Sequence, residues 1–148
     1  MKGEPTPDEL VDAIVLRYRR LTGDDSEVKA FCVDLIRRSD HYTWNILRAR
    51  LRENGQKQIY LDQTDLRGAD MHQYDLRDAY LLDANLERAN LDEAKLDGAT
   101  CVGANLRGAS IRWAQLKRTN FYDADLTGAT VRRCICADTI FPKSFAAA

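Results

Sequence analysis

Two cysteines, two histidines and a recurring set of aspartates are the residues whose chemistry could define a reactive site. Cys134 and Cys136 are spaced like a metal-binding pair, but zinc needs further ligands and the nearby sequence supplies none. His41 and His72 lie far apart in the sequence and in no motif. The aspartates recur at a fixed interval without a converging pair, and there is neither a glycine-rich phosphate loop nor a nucleophile elbow. We therefore predict no catalytic residue, no metal and no cofactor, and a protein that is not an enzyme.

A period of five residues organises the part of the chain that carries these aspartates. From Leu61 to Phe141 every fifth residue is apolar, which makes seventeen positions in one register. A second column, two residues earlier, runs from Ile59 to Thr139 and is mostly alanine. Neither an α-helix, with steps of three and four, nor a strand, with steps of two, has this period. A fixed repeat is instead typical of a solenoid, whose units bury their apolar side by stacking on one another.

Four such pentads are expected to form one four-sided coil, with both columns pointing inward because side chains alternate along a short extended segment. Seventeen sides make a little over four coils, roughly 20 Å of stacked strands. Cys134 and Cys136 fall on the inward columns, so we expect small core residues there and no metal ligands. Tyr74 occupies a small-residue position, which leaves open whether it fits inside the first coil. Thr64 and Thr119 need partners for their hydroxyls if they are buried.

Several pentads have the sequence A-[DN]-L-x-x, including 84–88, 89–93, 104–108 and 124–128. This pattern resembles the pentapeptide-repeat family, and the resemblance covers somewhat over half of the chain. It implies a mainly β fold, a right-handed quadrilateral parallel β-helix with the leucine and alanine columns inside. It does not identify a function, because one fold hosts many unrelated functions.

The residues before the repeat have helical periodicity and predict three short amphipathic helices. The first helix is expected to start at Thr6, which forms a capping box with Glu9, and the second at Asp24, which forms one with Glu27. The third is expected to start at Ser39 or Asp40. Glycines at 23 and 55 are the expected stops of the first and third helices. The apolar stripes are Leu10, Ile14, Val15, Tyr18 and Leu21; Val28, Phe31, Cys32, Leu35 and Ile36; and Trp44, Leu47 and Leu51.

This change of periodicity divides the chain into a helical segment, 1–57, and the repeat, 58–148, with a C-terminal cap from about residue 140. The first coil has no coil beneath it, and fewer than sixty residues bury little core alone. The helices are therefore expected to cap that end, to cover one side of the repeat, or to form an independent docking module. At the other end, Pro142 cannot donate to a further strand, and Phe145 could fold over the last coil.

Charge and composition argue against several classes of protein. The net charge is −1, so no strong attraction to nucleic acid or to an anionic membrane is expected. The N-terminal residues contain no long apolar run, which predicts neither a signal peptide nor a membrane span. The four cysteines replace ordinary apolar residues, which favours a reducing cytoplasm over a disulfide framework.

If twenty residues make one coil, residues twenty apart stack on one wall. The wall that contains Leu61 has an apolar ladder on its outside, whereas the other walls are far more polar. The ladder, here named the tyrosine wall, comprises Tyr60, Tyr80, Leu82, Val102 and Tyr122. An apolar strip of this kind predicts a partner site if it stays exposed. Alternatively, a helix from residues 8–53 folds back over it.

A second cluster, here named the basic patch, lies towards the C-terminal end. It comprises Arg112, Trp113, Lys117, Arg118, Arg132 and Arg133. Arginine beside an exposed aromatic ring could bind an acidic protein surface or stack on a base. Alternatively, the patch is a solvated face whose charges pair locally. One basic corner falls short of the broad basic stripe of a nucleic-acid-binding protein.

Two functions are consistent with these features. We predict a non-enzymatic protein–protein interaction or scaffold module, a monomer or weak dimer, with a protein partner that the sequence does not identify. The alternative comes from the resemblance: some members of the family mimic B-form DNA, bind type II topoisomerases such as DNA gyrase, and protect them from quinolones. The repeat at 59–141 carries thirteen acidic and ten basic residues, a net charge of −3, which is weakly acidic for such a mimic.

Overall fold

Three α-helices precede a stack of short parallel strands in the computed structural model, which describes residues 3–18 and 26–145. The helices are α1 (Pro7–Tyr18), α2 (Ser26–Arg37) and α3 (His41–Glu53). The strands are β1 (Ile59–Tyr60), β2 (Ala79–Tyr80), β3 (Ser110–Arg112) and β4 (Thr130–Arg132). The helix stop and start predicted at residues 23 and 24 lie outside the described residues.

Helix α1 begins with the predicted capping box. Thr6 Oγ1 accepts a hydrogen bond from the Glu9 N–H at 3.3 Å, and Glu9 Oε2 accepts one from the Thr6 N–H at 2.8 Å. The predicted apolar stripe is wrong at Leu10, which is 40% exposed. The prediction is confirmed at Val15, which is buried together with Val11, one helical turn before it, because this side of α1 packs against α3.

Helix α3 begins at one of the two expected caps. Asp40 Oδ1 accepts a hydrogen bond from the Thr43 N–H at 3.0 Å, and the helix ends just before Asn54. Arg50 of α3 forms ion pairs with Asp8 and Asp12 of α1, which orient the two helices. The predicted stripes of α2 and α3 are buried at Val28, Cys32, Leu35, Ile36, Trp44, Leu47 and Leu51.

Successive coils are joined by parallel backbone pairing in a register of twenty residues. Asp65 pairs with Asn85, Asn85 pairs with Asn105, and β3 pairs with β4 in the same register. The Leu66 N–H donates to the Asn85 carbonyl at 2.8 Å, and the Asn85 N–H donates to the Thr64 carbonyl at 2.9 Å. Because twenty residues contain four pentads, the pentads fall into four sets that stack in register, and each set is here called a wall.

Every pentad ends in a residue with left-handed backbone conformation. From residue 63 to residue 138, each fifth residue has a φ between 52° and 72°. Glycine adopts this conformation without strain, but Trp113, with a φ of 54°, is bulky and rarely does so. The Asp and Asn side chains before these turns support them, since Asn85 and Asn105 accept from the N–H two residues later at 3.2 and 3.1 Å.

Both predicted columns point inward. The large-residue column is at most 6% exposed from Leu61 to Leu126. The buried hydroxyls of that interior are satisfied, since Thr64 donates to the Leu61 carbonyl at 2.6 Å and Thr119 donates to the Leu96 carbonyl at 2.8 Å.

Tyr74, whose fit the sequence left open, is buried under the helices. It is 1% exposed, and its ring stacks on Trp44 at a centroid distance of 5.5 Å. Its hydroxyl donates to the Leu35 carbonyl at 3.4 Å, and burial raises the pKa of Tyr74. The large side chain therefore joins the helices to the first coil.

Side chains of α2 and α3 supply donors to the open edge of the first coil. In the second coil the Lys95 carbonyl accepts a hydrogen bond from the coil below. Its first-coil counterpart, the Asp75 carbonyl, accepts from Trp44 Nε1 at 2.9 Å and from Arg48 Nε at 3.1 Å. These helix side chains thus replace the backbone donors of a missing coil.

Other carbonyls of the first coil are bonded in the same way. Arg37 donates to the Asp65 carbonyl at 3.0 Å, and Lys29 Nζ donates to the Asp62 carbonyl at 3.2 Å. Arg48, which has no exposed surface, also donates to the carbonyl of Arg77 and, at 2.9 Å, to that of residue 57. One buried guanidinium therefore holds three backbone carbonyls around the end of the stack.

The Asp75 carboxylate completes this junction. Burial tends to raise the pKa of Asp75, but two hydrogen bonds from Arg77, at 2.8 and 2.6 Å, and the charge of Arg48 outweigh it and lower the pKa. Because the pKa of Asp75 is lower in the folded than in the unfolded state, the ionised carboxylate contributes to the stability of the fold at neutral pH. This stability is lost as the pH falls through the folded-state pKa.

The C-terminal end of the stack is covered by aromatic rings over part of its area. The Phe141 ring lies 5.8 Å from that of Phe121 and 4.7 Å from that of Phe145. Phe145 therefore folds back over the last coil, as the sequence suggested. Ile135 and Ile140, both 51% exposed, lie outside this cover.

The prediction that Cys136 is a core residue is wrong. Cys136 is exposed and Cys134 is half-buried, although both lie on inward columns. The reason is positional: these residues belong to the last coil, and the described chain ends before another coil could cover them. By contrast Cys101, in the middle of the stack, is buried, and burial raises the pKa of its thiol to about 12.

Replacing Leu96 with aspartate is expected to abolish cooperative folding of the coils. Leu96 is 1% exposed among apolar side chains, so the change buries an unpaired carboxylate and costs upwards of about 4 kcal/mol. Urea unfolding followed by circular dichroism measures this. Lys95→Asp, at the exposed neighbouring position, is the control and should change the unfolding midpoint little. Parent-like unfolding of Leu96→Asp would show that the inward column is misassigned.

Arg48→Met is expected to lower the free energy of unfolding by about 3–5 kcal/mol, because a guanidinium with no exposed surface and its hydrogen bonds to three backbone carbonyls are lost. The matched control is Arg50→Met on the same helix, whose partly exposed ion pairs with α1 are worth about 1 kcal/mol at most. Hydrogen exchange of the first-coil amides should accelerate in Arg48→Met and not in the control. Equal effects of the two substitutions would contradict the role of Arg48 at the coil edge.

Candidate protein-interaction surfaces

Charge is distributed unevenly among the four walls. The tyrosine wall, which consists of pentads 59–63, 79–83, 99–103 and 119–123, carries Asp62, Asp83 and Asp123 and no lysine or arginine. Each of the other three walls carries equal numbers of acidic and basic residues within 59–141. The whole net charge of the repeat therefore lies on the wall that also carries the apolar ladder.

The side chains of the tyrosine wall form two neighbouring columns along the stack, Tyr60 with Tyr80 and Leu82 with Val102 and Tyr122. Tyr60 and Tyr80 stack with ring centroids 5.2 Å apart and planes 11° from parallel. Leu82 and Val102 are half-buried beside them, and Tyr122 is 51% exposed. The twenty-residue backbone register holds these residues in line, which makes a rigid strip of aromatic and aliphatic surface.

The helices bind the end of the stack next to this wall. Their side-chain hydrogen bonds to the coils reach first-coil carbonyls such as those of Asp62 and Gln73, at 3.2 and 3.3 Å. Arg52 of α3 also pairs with Asp78 at 2.8 Å. Tyr122, two coils further along, remains half-exposed. The tyrosine wall therefore keeps accessible apolar surface on its C-terminal half.

The basic patch divides into two groups. Arg112 and Arg132 are neighbours across the β3–β4 pair, and Arg133 lies over the Trp113 ring, 5.8 Å from its centroid. These four residues lie on one wall. Lys117 and Arg118 lie on the next wall, beyond the buried Leu116, and both are exposed. The structure thus places the patch on two walls and not on one continuous face.

An open groove lies where α3 meets the corner of two walls. Its volume is about 680 Å³, and its lining residues are Asn45, Gln73, Glu93, Lys95, Trp113 and Gln115. Several of these polar groups already have partners: Asn45 bonds to the backbone of Gln73 and Asp75, and Gln73 donates to Glu93 at 3.0 Å. The groove is therefore a polar junction whose one large apolar surface is the Trp113 ring.

The described residues contain no group of three or more His, Cys, Asp or Glu side chains that could hold a metal ion. None of the helices among them is long and apolar enough to cross a membrane. The side chains on the surfaces described above are aromatic and aliphatic groups, carboxylates, amides and guanidinium groups.

Sequence reasoning missed two features that position these surfaces. It did not identify Arg48 and Asn45 as coil-edge partners, because both read as polar positions on an amphipathic helix. It also did not identify the left-handed residue at the end of each pentad. The glycines at 68, 98, 103, 108 and 128, all in that position, were the available signal.

Residues 84–121 match a family model described as pentapeptide repeats, in eight copies. The chain is similar to alr5209, a pentapeptide repeat protein from Nostoc PCC 7120, at 31% identity and a TM-score of 0.55, over 66% of this chain and 87% of that one. It is also similar to HetL, a protein of the same strain involved in heterocyst differentiation regulation, at 32% identity and a TM-score of 0.35, over 61% and 43% of the two chains. A pentapeptide repeat protein of the Arabidopsis thaliana thylakoid lumen matches at 28% identity and a TM-score of 0.34, over 55% and 60%. No curated protein matches the sequence.

Tyr122→Ser is expected to lower the free energy of unfolding by less than about 1 kcal/mol, because half of the Tyr122 side chain is already in water. The adjacent Phe121, which has no exposed surface, provides the control: Phe121→Ser should cost at least about 3 kcal/mol. Thermal and urea unfolding of the two variants measure the difference. A large loss in Tyr122→Ser would mean that the tyrosine wall is part of the folding core.

Proposed function

This chain belongs to the pentapeptide-repeat family, and from that premise we propose that it is a non-enzymatic module that docks a protein partner on its tyrosine wall. The observation that carries the proposal is the coincidence, on one wall, of the apolar ladder and the net negative charge of the repeat. Catalysis needs converging reactive groups, whereas docking needs an exposed, preorganised apolar strip, which is what this wall offers.

The coils in this proposal form the right-handed, four-sided β-helix that the family implies, a little over four coils long. The parallel pairing in a register of twenty residues supports it. Such a scaffold is stiff, because each coil is hydrogen-bonded to its neighbours on both sides. A partner therefore meets side chains that lose little conformational freedom on binding.

The chemistry of the partner follows from the charges beside the ladder. Asp83 and Asp123 are exposed at the edge of the tyrosine wall, next to Leu82 and Tyr122. A partner surface with apolar side chains at its centre and lysine or arginine at its rim would complement this arrangement. The four cysteines, which stand on inward apolar columns, are consistent with a reducing cytoplasm as the place where it acts.

The DNA-mimic alternative stays a prediction from the resemblance. A mimic needs strongly negative walls, and three of the four walls in 59–141 have no net charge. Arg112, Lys117, Arg118, Arg132 and Arg133 are the residues that offset the carboxylates on two of them. Retention of a type II topoisomerase in the experiment below would favour it.

A capture experiment with three full-length baits tests the docking wall. The baits are the parent chain, a variant with Leu82→Asp and Tyr122→Asp, and a control with Arg88→Asp and Arg107→Asp on a different wall. We expect a partner that the parent and the control retain and that the tyrosine-wall variant loses, with all three baits equally folded by circular dichroism. Retention of the same proteins by all three baits would overturn the proposal, and retained type II topoisomerase would favour mimicry.

A further inference from the structure

One wall of the stack is electrically polarised along its length. This wall, here named the polarised wall, consists of pentads 69–73, 89–93, 109–113 and 129–133. Its first two pentads carry Asp70, Asp92 and Glu93 and no basic residue other than His72. Its last two pentads carry Arg112, Arg132 and Arg133 and no acidic residue. The charges sum to zero but are completely separated into an acidic half and a basic half.

Carboxylates in the described part of the chain do not neutralise the arginines of the basic half. Among residues 3–18 and 26–145, none of the three guanidinium groups forms an ion pair with a carboxylate, and all three residues are exposed. Elsewhere on the stack, arginines do pair locally, as Arg67 does with Asp65 at 2.7 Å and Arg107 with Asp125 at 3.2 Å. The basic half therefore keeps its capacity to bind external carboxylates.

Backbone pairing holds both halves in one straight register. Asp70 pairs with Asn90, Asn90 pairs with Ser110, and Ser110 pairs with Thr130, so the four pentads lie directly above one another. Side chains in the same position of each pentad consequently form straight columns. One column reads His72, Asp92, Arg112, Arg132, and the next reads Gln73, Glu93, Trp113, Arg133.

We propose that two copies of this chain associate side by side and antiparallel through their polarised walls. When two such walls face each other with opposite directions, the first pentad of one meets the fourth of the other, and the second meets the third. Asp92 then faces Arg112 of the second copy, Gln73 faces its Arg133, and Glu93 faces its Trp113. In the first pentad His72 faces Arg132, and Asp70 supplies the negative charge of that pentad in the neighbouring column. Each contact occurs twice, because the arrangement has a twofold axis.

Parallel association is disfavoured by the same charges. It would place the acidic halves together and the basic halves together, with like charges directly opposed. The wall thus selects one relative orientation. Trp113, 49% exposed next to the middle of the wall, would lose water-accessible surface in the antiparallel arrangement and add apolar contact to the ion pairs.

The dimer is expected to be weak and sensitive to salt. A single wall offers less area than a standard stable interface, and exposed ion pairs are screened by salt. The contact also differs in place from the C-terminal end of the stack, where Ile135 and Ile140 are exposed. Sedimentation equilibrium of the full chain should therefore show reversible dimers at low ionic strength that dissociate at high ionic strength.

A charge-swap experiment separates this dimer from other modes of association. The acidic variant, Arg112→Glu with Arg132→Glu, has a wall on which Arg133 is the one remaining arginine or lysine. The basic variant, Asp70→Asn with Asp92→Asn and Glu93→Lys, has no carboxylate left on the wall. Asparagine is used at 70 and 92 because these side chains accept the N–H groups of His72 and Arg112, at 3.1 and 2.9 Å, and an amide oxygen can still accept them. Each variant alone should be monomeric, and an equimolar mixture should form a heterodimer, because a wall of net negative charge then faces a wall of net positive charge.

A matched control carries the same change of charge on other walls, Arg88→Glu with Arg118→Glu, and should dimerise as the parent does. Circular dichroism checks that all variants are folded before sedimentation. A monomeric parent at low ionic strength and high concentration would overturn the proposal. A mixture of the swapped variants that remains monomeric would also overturn it. So would an acidic variant that still dimerises, because the contact would then lie at the end of the stack or on another wall.

Discussion

The backbone hydrogen bonds between successive coils are the constraint on which the rest of the structure depends. Each coil presents donors and acceptors along the stack axis, and a coil on either side satisfies them in the middle of the repeat. At an end, the same groups need another partner or water. At the N-terminal end, side chains of Arg48, Trp44 and Arg37 supply donors to carbonyls that would otherwise have none from the protein. The two ends of the molecule differ for this reason.

The same constraint determines at which positions of the pentad the residue type is restricted and at which it can vary. Two of every five side chains point into the coil, where volume and polarity are restricted, and the pentad ends in a left-handed residue that turns the chain. The remaining outward positions are free of these demands. Tyr122 on one wall, and Arg112 and Arg132 on another, are exposed, and packing inside the coil does not dictate their type. Differences between walls are therefore where a function can be encoded.

The charged residues show most clearly the difference between positions with an internal role and positions on the surface. Buried groups such as Asp75 have their pKa lowered by partners within the chain, and they belong to the junction between helices and coils. The exposed arginines at 112, 132 and 133 have no such internal partners among the described residues. Carboxylates on the tyrosine wall accompany apolar surface, whereas those on the polarised wall accompany arginines of the opposite half. The two walls thus offer different chemistry on one rigid frame.

The sequence by itself determined the coils, their inward columns and the presence of three helices. A strict period of five is visible in one dimension, and the capping residues Thr6 and Asp40 act on neighbours within three positions. Only the tertiary structure decided how the helices meet the coils, because Arg48 and Asp75 are far apart along the chain and nothing local links them. It also decided the exceptions: Tyr74 fits because Trp44 stacks on it, and Cys136 is exposed because the last coil has no neighbour. At the two ends of the stack, the burial of an inward side chain depends on its position in the stack and not on its residue type. The reason is that each coil is covered only by the coils or helices that lie next to it.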